Sequence, residues 1–172
     1  MRFVFVTLGH HPHPPGGAWR VSADLSAALA ARGHRVEVVT GNETGGLPAA
    51  ETQDGVGLRR FPRRRGNFVR AWLADVAAAR RLVQEAASGF DEPALVVLLH
   101  AFVARAAAAA RRPMVALHCG PWAEEYLHQR RGGGWAARLV AAGLRREERR
   151  GLRRGRPSFA LNRRLARALP RW

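Results

Sequence analysis

The stretch from Arg2 to Gly41 constrains this chain more than any other, because it reads as strand, helix and strand in immediate succession. Residues Arg2 to Leu8 alternate and are rich in β-branched and aromatic types, which suits a strand. Val21, Leu25, Ala28 and Leu29 then recur at helical spacing, and Gly33 supplies the residue type that commonly ends a helix in the left-handed conformation. "HRVEVVTG" follows as a second strand. Two strands joined through a helix pair in parallel, and the crossover between them is right-handed. That unit points to a sheet with helices on its faces rather than a bundle or a sandwich.

The alternation continues along the chain. Gly41 to Asp54 is rich in Gly, Thr and Glu and reads as a loop, and "VGLRRF" reads as a short strand. Asn67 is placed to cap a helix with Phe68, Trp72, Val76, Ala79, Val83 and Ala86 on one face, closed by Gly89. "ALVVLL" has the continuous apolar character of a strand covered on both sides. Residues 101 to 112 read as an Ala-rich helix, "PMVALH" as a strand, Trp135 to about Gly151 as a helix, "PSFAL" as a strand and "NRRLARAL" as a short last helix. The expected fold is α/β, a Rossmann-like three-layer domain with a mostly parallel sheet. A length of 172 residues suits one domain spanning 1–172 and is short for two.

Composition narrows the setting. The apolar stretch "PALVVLLHAFVA" falls short of the roughly 18 residues that a membrane-spanning helix needs, and "MRFVFVTLG" lacks the long apolar core of a secretory signal. The one cysteine, Cys119, excludes an intrachain disulfide and fits a reducing compartment, so a cytoplasmic location is expected. The formal charge is +16, and every basic residue is Arg. Total absence of Lys reflects a coding bias toward Arg, so the position of the charge says more than its amount. Arg130 to Trp172 holds fourteen Arg and two Glu, a net +12. Arg59 to Arg70 holds six Arg and no acid, and the remainder of the chain is slightly acidic. Both basic segments are candidate surfaces for anionic partners.

In a parallel open sheet, ligands collect beyond the carboxyl ends of the strands, where loops lead into helix N-termini. "GHHPHPPGGAW", from Gly9 to Trp19, occupies such a place. Gly16 and Gly17 lack Cβ atoms, so backbone can approach a ligand, and the following helix offers unpaired N–H groups to a phosphate or a sugar hydroxyl. A tight turn that uses glycine for geometry alone fits the same residues, and the spacing is not that of G-x-G-x-x-G. His10, His11 and His13 sit in a proline-broken loop with no cysteine or carboxylate near in sequence. No metal site is therefore expected, and hydrogen bonding to a ligand, assigned to His13, is the stronger reading.

"LHCGPWAEEY", Leu117 to Tyr126, is the second such turn, and His118 there would face the same cleft. Glu124 and Glu125 read as first-turn acids that favour the helix dipole, and Glu147 and Glu148 as part of a solvated, ion-paired helix face. His34, His100 and His128 are assigned structural or surface roles. "RRFPRRRGNFVRAW" interleaves Arg63, Arg64 and Arg65 with aromatics, among them Phe68. It is read either as an anion or membrane surface or as a basic loop whose aromatics face the core, the second somewhat favoured.

Taken together, "MRFVFVTLGHHPHPPGGAWRVSADLSAALAARGHRVEVVTG" and the later "ALHCGPWAEEY" resemble the N-terminal, acceptor-side half of family-4 retaining glycosyltransferases of the GT-B architecture. The resemblance covers nearly all of this chain and about half of such an enzyme, and the first 41 residues carry most of it. It implies one of two Rossmann-like domains flanking a cleft, and transfer of a sugar from a nucleotide-diphosphate sugar to a sugar or lipid-linked acceptor, with no other cofactor. It also implies that Gly16 and Gly17 line the cleft near donor phosphates and acceptor, and that the His before Gly-Pro contacts the donor sugar. His118 is thus the candidate catalytic residue, and His13, Gly16, Gly17, Arg20, Cys119 and Gly120 are the candidate donor- or acceptor-binding residues.

Two departures stand out. Cys119 separates His118 from Gly120 where the family usually reads His-Gly-Pro-Trp, so either His118 is displaced by one residue or Cys119 takes the His position. Asn162 stands where Ser is common. The family's donor-binding residues belong mostly to a C-terminal domain that this sequence does not contain. The isolated chain is therefore expected to be inactive, with such a domain in trans as a partner and peripheral contact at the inner membrane face. A non-catalytic half of a split transferase, or an Arg-rich nucleic-acid binder, are the rival readings. Nucleic acid is not the expected partner, because no recognised binding module is present.

Overall fold

The computed structural model describes residues 1–10, 17–43, 45–64, 66, 68–88, 93–120, 122–129, 134–155 and 157–160. His11, His13, Gly16, Arg65, Asn67, Gly89 and the last helix expected from Asn162 lie outside the described residues, as does the side chain of Phe68.

The expected crossover is present. β1 (Arg2–Val6) leads through α1 (Gly17–Ala31) to β2 (Arg35–Asn42), and the two strands pair in parallel with Phe3 opposite Val36 and Phe5 opposite Val38. Gly33 takes φ +80 at the end of α1, the left-handed conformation for which glycine has no steric cost. The chain continues through β3 (Ala50–Gln53), β4 (Val56–Pro62), α2 (Phe68–Ala87) and β5 (Ala94–Leu98). A 3-10 turn (Ala101–Val103) and α3 (Ala104–Ala108) lead to β6 (Met114–His118), and α4 (Trp122–Gln129) and α5 (Trp135–Arg154) lead to β7 (Ser158–Ala160).

The seven strands lie in the order β3-β4-β2-β1-β5-β6-β7, all parallel except β3 against β4. Steps from β1 to β2 move one way across the sheet and steps from β4 through β7 move the other. Constant right-handedness then puts α1 on one face and α2, α3 and α5 on the opposite one. Side-chain alternation agrees. Val4, Val6, Val96, Leu98 and Ala116 pack with Ala79, Val83 and Ala107 of the helices on one face. Phe5, Val36, Val38, Leu58 and Val97 pack with Leu29 and Ala30 of α1 on the other.

Two expectations are corrected. The segment from Gly41 to Asp54 is not all loop: β2 runs on to Asn42, and Ala50–Gln53 forms an antiparallel edge strand. Its turn is made by Asp54 at φ 51 and Gly55 at φ 77, the two consecutive left-handed residues that close a tight hairpin. The Ala-rich helix is a 3-10 turn and five α-helical residues rather than a run to 112. Arg111 turns there with φ 51, and Pro113 follows, so the helix cannot propagate to β6.

Among the described residues no helix is long and apolar enough to cross a membrane.

Candidate functional site

The sheet reverses its winding between β1 and β5, which makes the space beyond their carboxyl ends the topological switch point. β1 delivers Thr7, Leu8 and a buried His10 to that edge, and β5 delivers His100 two residues past its end. β6 delivers His118 as its last residue.

Aromatic rings tie these three strand ends together. His100 is buried with its ring centroid 3.7 Å from Trp122, 5.0 Å from Phe102 and 5.6 Å from Trp19, and Trp19 lies 5.7 Å from Trp122. Trp19 stands in the first turn of α1 and Trp122 begins α4, so the stack joins the start of α1 to the start of α4. The Phe102 amide donates to His100 Nδ1 at 3.3 Å, which leaves the neutral ring's proton on Nε2. Burial, with a lesser contribution from Arg63, holds the His100 pKa well below its ordinary value.

The Gly17 backbone is open. It is exposed, and a Cβ built there meets nothing within 4 Å; the same holds for the space around Gly120. Arg20 is exposed one turn further, with a loose 3.9 Å approach to Asp24 on the solvent side. His118 is half-buried, and burial lowers its pKa, so it is uncharged at neutral pH. It lines a cavity of about 20 Å³ with His100, Trp122, Glu148 and Leu152, space for a single water.

Cys119 faces away from that cavity. Side chains alternate across a strand, and its half-buried sulfur packs with the α1-side core while Sγ donates to the Leu117 carbonyl at 3.6 Å. Burial raises its pKa to about 11, so it is a protonated thiol and no nucleophile at neutral pH.

Glu147 and Glu148 do not form a solvated face. α5 turns both inward. Arg105 binds Glu147 in a two-pronged pair, Nε to Oε2 at 2.8 Å and Nη2 to Oε1 at 2.6 Å, and Arg150 adds a bond at 2.7 Å. Burial acts to raise the Glu147 pKa, but the bonds from Arg105 and Arg150 together outweigh it and the net shift is downward. Glu148 accepts the Trp122 amide at 2.6 Å and so caps α4 from a neighbouring helix; burial nevertheless raises its pKa. Glu124 and Glu125 are exposed in the first turn of α4, consistent with the dipole reading.

The Arg59 to Arg70 segment is less open to anions than its charge suggests. Arg59 pairs with Glu37 at 2.6 Å, Arg60 is buried against Glu51, and Arg63 pairs with Asp75 at 2.7 Å and Glu43 at 3.0 Å. The acids lie 9 to 22 residues away, outside the segment, so a count along it misses them. Arg64 keeps an exposed side chain, and its amide donates to Asp75 at 3.1 Å. Trp72 is half-buried with Nε1 donating to the Phe102 carbonyl at 3.0 Å, so it faces inward. A depression of about 330 Å³ opens here, between Leu8 of the β1 edge, Arg63, Arg64, Trp72, Asp75 and Phe102.

Sequence reasoning gave no role to Trp19 or Trp122; it gave His100 a structural or surface role, and the structure bears out the structural one while placing it at the strand ends. The available signal was position: His100 directly follows the apolar run of β5, which ends at the switch point.

A family profile described as a glycosyl transferase 4-like domain matches residues 16–172. No curated protein matches the chain. Among solved structures, the fold resembles sucrose-phosphate synthase from Thermosynechococcus elongatus, with a TM-score of 0.54 and 14% sequence identity over 84% of this chain and 40% of that one. The chain thus spans well under two thirds of that enzyme's length.

Proposed function

The chain belongs to the glycosyl transferase 4-like domain family, and from that premise we propose that it forms the acceptor-side half of an enzyme moving a sugar from a nucleotide-diphosphate sugar to an acceptor. The observation that carries the reading is the stack of Trp19, His100 and Trp122. It ties together the starts of α1 and α4 beyond the carboxyl ends of β1, β5 and β6, beside the open backbone of Gly17 and Gly120. Backbone N–H groups at the start of α1 suit phosphate or sugar hydroxyls there. Neutral His118 offers a hydrogen bond to the donor sugar without competing for its phosphates. The depression between Arg64, Trp72 and Phe102 receives the acceptor, whose ring would lie against aromatic side chains.

Departure of a nucleoside diphosphate builds negative charge that needs fixed positive charge beside it. Among the described residues, Arg63 reaches His100 electrostatically but is held by Asp75 and Glu43, and Arg20 is exposed. The reaction is therefore proposed to need a second domain that holds the diphosphate, on the same or another polypeptide. Trp19 and Trp122 report on this region, so tryptophan fluorescence during titration with nucleotide sugars is the direct assay. A weak response from the chain alone is expected, with nucleoside diphosphate release once a donor-side domain of the family is added. Transfer by this chain unaided would overturn the need for a second domain, and no release in any pairing would overturn the transferase reading.

A further inference from the structure

Exposed apolar side chains gather in one place. Among the described residues, the large hydrophobics left in solvent are Met1, Leu25, Val69, Leu73, Trp135, Leu139 and Phe159. Val69 and Leu73 lie at i,i+4 in the first turns of α2, and Trp135 and Leu139 lie at i,i+4 in the first turns of α5, so each pair forms one stripe on its helix. Between the helices runs a groove of about 370 Å³ walled by Val69, Trp72, Leu139, Val140 and Leu144. α2 follows β4 and so starts at the carboxyl edge of the sheet, and Trp72, which walls the groove, also lines the depression beside Leu8 and Phe102.

Positive charge surrounds this patch. α5 carries seven Arg and two Glu, and of those acids Glu147 is buried and held by Arg105 and Arg150. Arg146 rims the groove, and Arg138 and Arg145 are exposed on the same helix. We propose that this face, the opening turns of α2 and α5, docks the chain on an anionic phospholipid surface, with Trp135 and Leu139 entering the headgroup layer and the α5 arginines meeting the lipid phosphates. An apolar tip followed by basic turns matches such a surface in both chemistry and depth. Trp135, 77% exposed as the first residue of α5, has the amphipathic ring that settles at a headgroup layer. The docking face shares Trp72 with the depression on the Arg63 side, but Val69, Leu139 and the α5 arginines lie outside that depression. Its test uses no sugar, so it is read independently of the transfer reaction proposed above.

A chain of charge +16 will touch anionic vesicles by charge alone, so the test must isolate the apolar contribution. The full chain is floated with vesicles of phosphatidylcholine, with or without phosphatidylglycerol, and the same lipids with brominated acyl chains are used to quench tryptophan. Binding is expected only with phosphatidylglycerol present, accompanied by quenching. Joint Trp135→Ser and Leu139→Ser substitution, which leaves the charge intact, should weaken binding about tenfold and remove most of the quenching. Leu25→Ser, at an exposed apolar site elsewhere, should change neither. Circular dichroism of each variant checks folding, and single Leu139→Ser serves if the double variant is unfolded. Unchanged binding by the Trp135→Ser, Leu139→Ser variant means attraction by net charge alone and overturns the proposal. So does a lipid-free dimer that Leu139→Ser dissociates, since the face would then belong to a second copy.

Discussion

Burial between Trp19, Phe102 and Trp122 makes His100 a group whose proton affinity depends on whether the chain is folded. In the unfolded chain its imidazole gains a proton as pH falls through 6.5, whereas in the fold burial keeps the ring neutral to a much lower pH. A lowered folded pKa places the stabilising contribution above 6.5 and removes it progressively below that value. His118 acts in the same direction through its own partial burial. The fold should therefore lose stability between about pH 7 and pH 5.5 at up to about 1.4 kcal/mol per pH unit for a fully shifted group. Thermal unfolding across that window should show a shallower slope for His100→Gln than for the parent chain, even though the variant starts from lower stability. Equal slopes would mean that His100 titrates alike folded and unfolded, contrary to its place in the stack. Steric demands act at the same scale. A Cβ on Gly41 would lie 2.6 Å from the Leu8 carbonyl, and one on Gly155 would lie 2.7 Å from Ala116 Cβ, so both glycines are required by close approach of neighbouring backbone.

Among elements, α4 depends on α5 for its start. Glu148 accepts the Trp122 amide across 26 residues of sequence, in the place where a local Ser or Asp side chain would ordinarily cap a helix. Glu148→Ala should cost about 1 to 2 kcal/mol, the loss typical of a removed cap. Glu148→Gln, which retains an acceptor and sheds a charge that burial disfavours, should cost clearly less. Denaturant unfolding of the two variants compares them directly, and equal losses would remove Glu148 from the capping role. No periodicity in the sequence discloses such a bond, because its partners meet only when two helices pack. The crossover, by contrast, is legible from local pattern alone: Arg2–Val6 and Arg35–Asn42 alternate or run apolar, and Gly33 ends the helix between them. The hairpin at β3 reads as loop in the sequence, although Asp54-Gly55 is a strong local turn signal. Ala50 to Gln53 hides it by being polar, as an edge strand facing water can be. At the site, the glycine turns could be read from residue type and position. The stack of Trp19, His100 and Trp122 could not, since it joins residues from three separate elements.

For the whole molecule, two electrostatic effects oppose each other, and salt separates them. The pairs that hold elements together are partly removed from water: Arg2 with Glu37 lies in the interior, and Glu147, held by Arg105 and Arg150, is buried. Mobile ions reach such pairs poorly, so screening weakens them little. The excess of +16 is different, because much of it lies on the exposed surface. Along α5, Arg145, Arg149 and Arg153 follow one another at i,i+4 spacing, where each like-charged neighbour costs a few tenths of a kcal/mol. Raising the ionic strength from about 0.01 M to about 0.15 M shortens the screening length from about 30 Å to about 8 Å, which removes most repulsion between separated surface charges. The thermal midpoint should therefore rise with sodium chloride over that range, and chloride and perchlorate at equal concentration should act alike if screening rather than anion binding is responsible. A midpoint that falls with salt would show that the ion pairs, not the surplus of arginine, dominate the electrostatics of the fold. Phospholipid docking through α5 would then gain no stabilising relief of repulsion, whereas a rising midpoint implies that an anionic surface both attracts this helix and stabilises it.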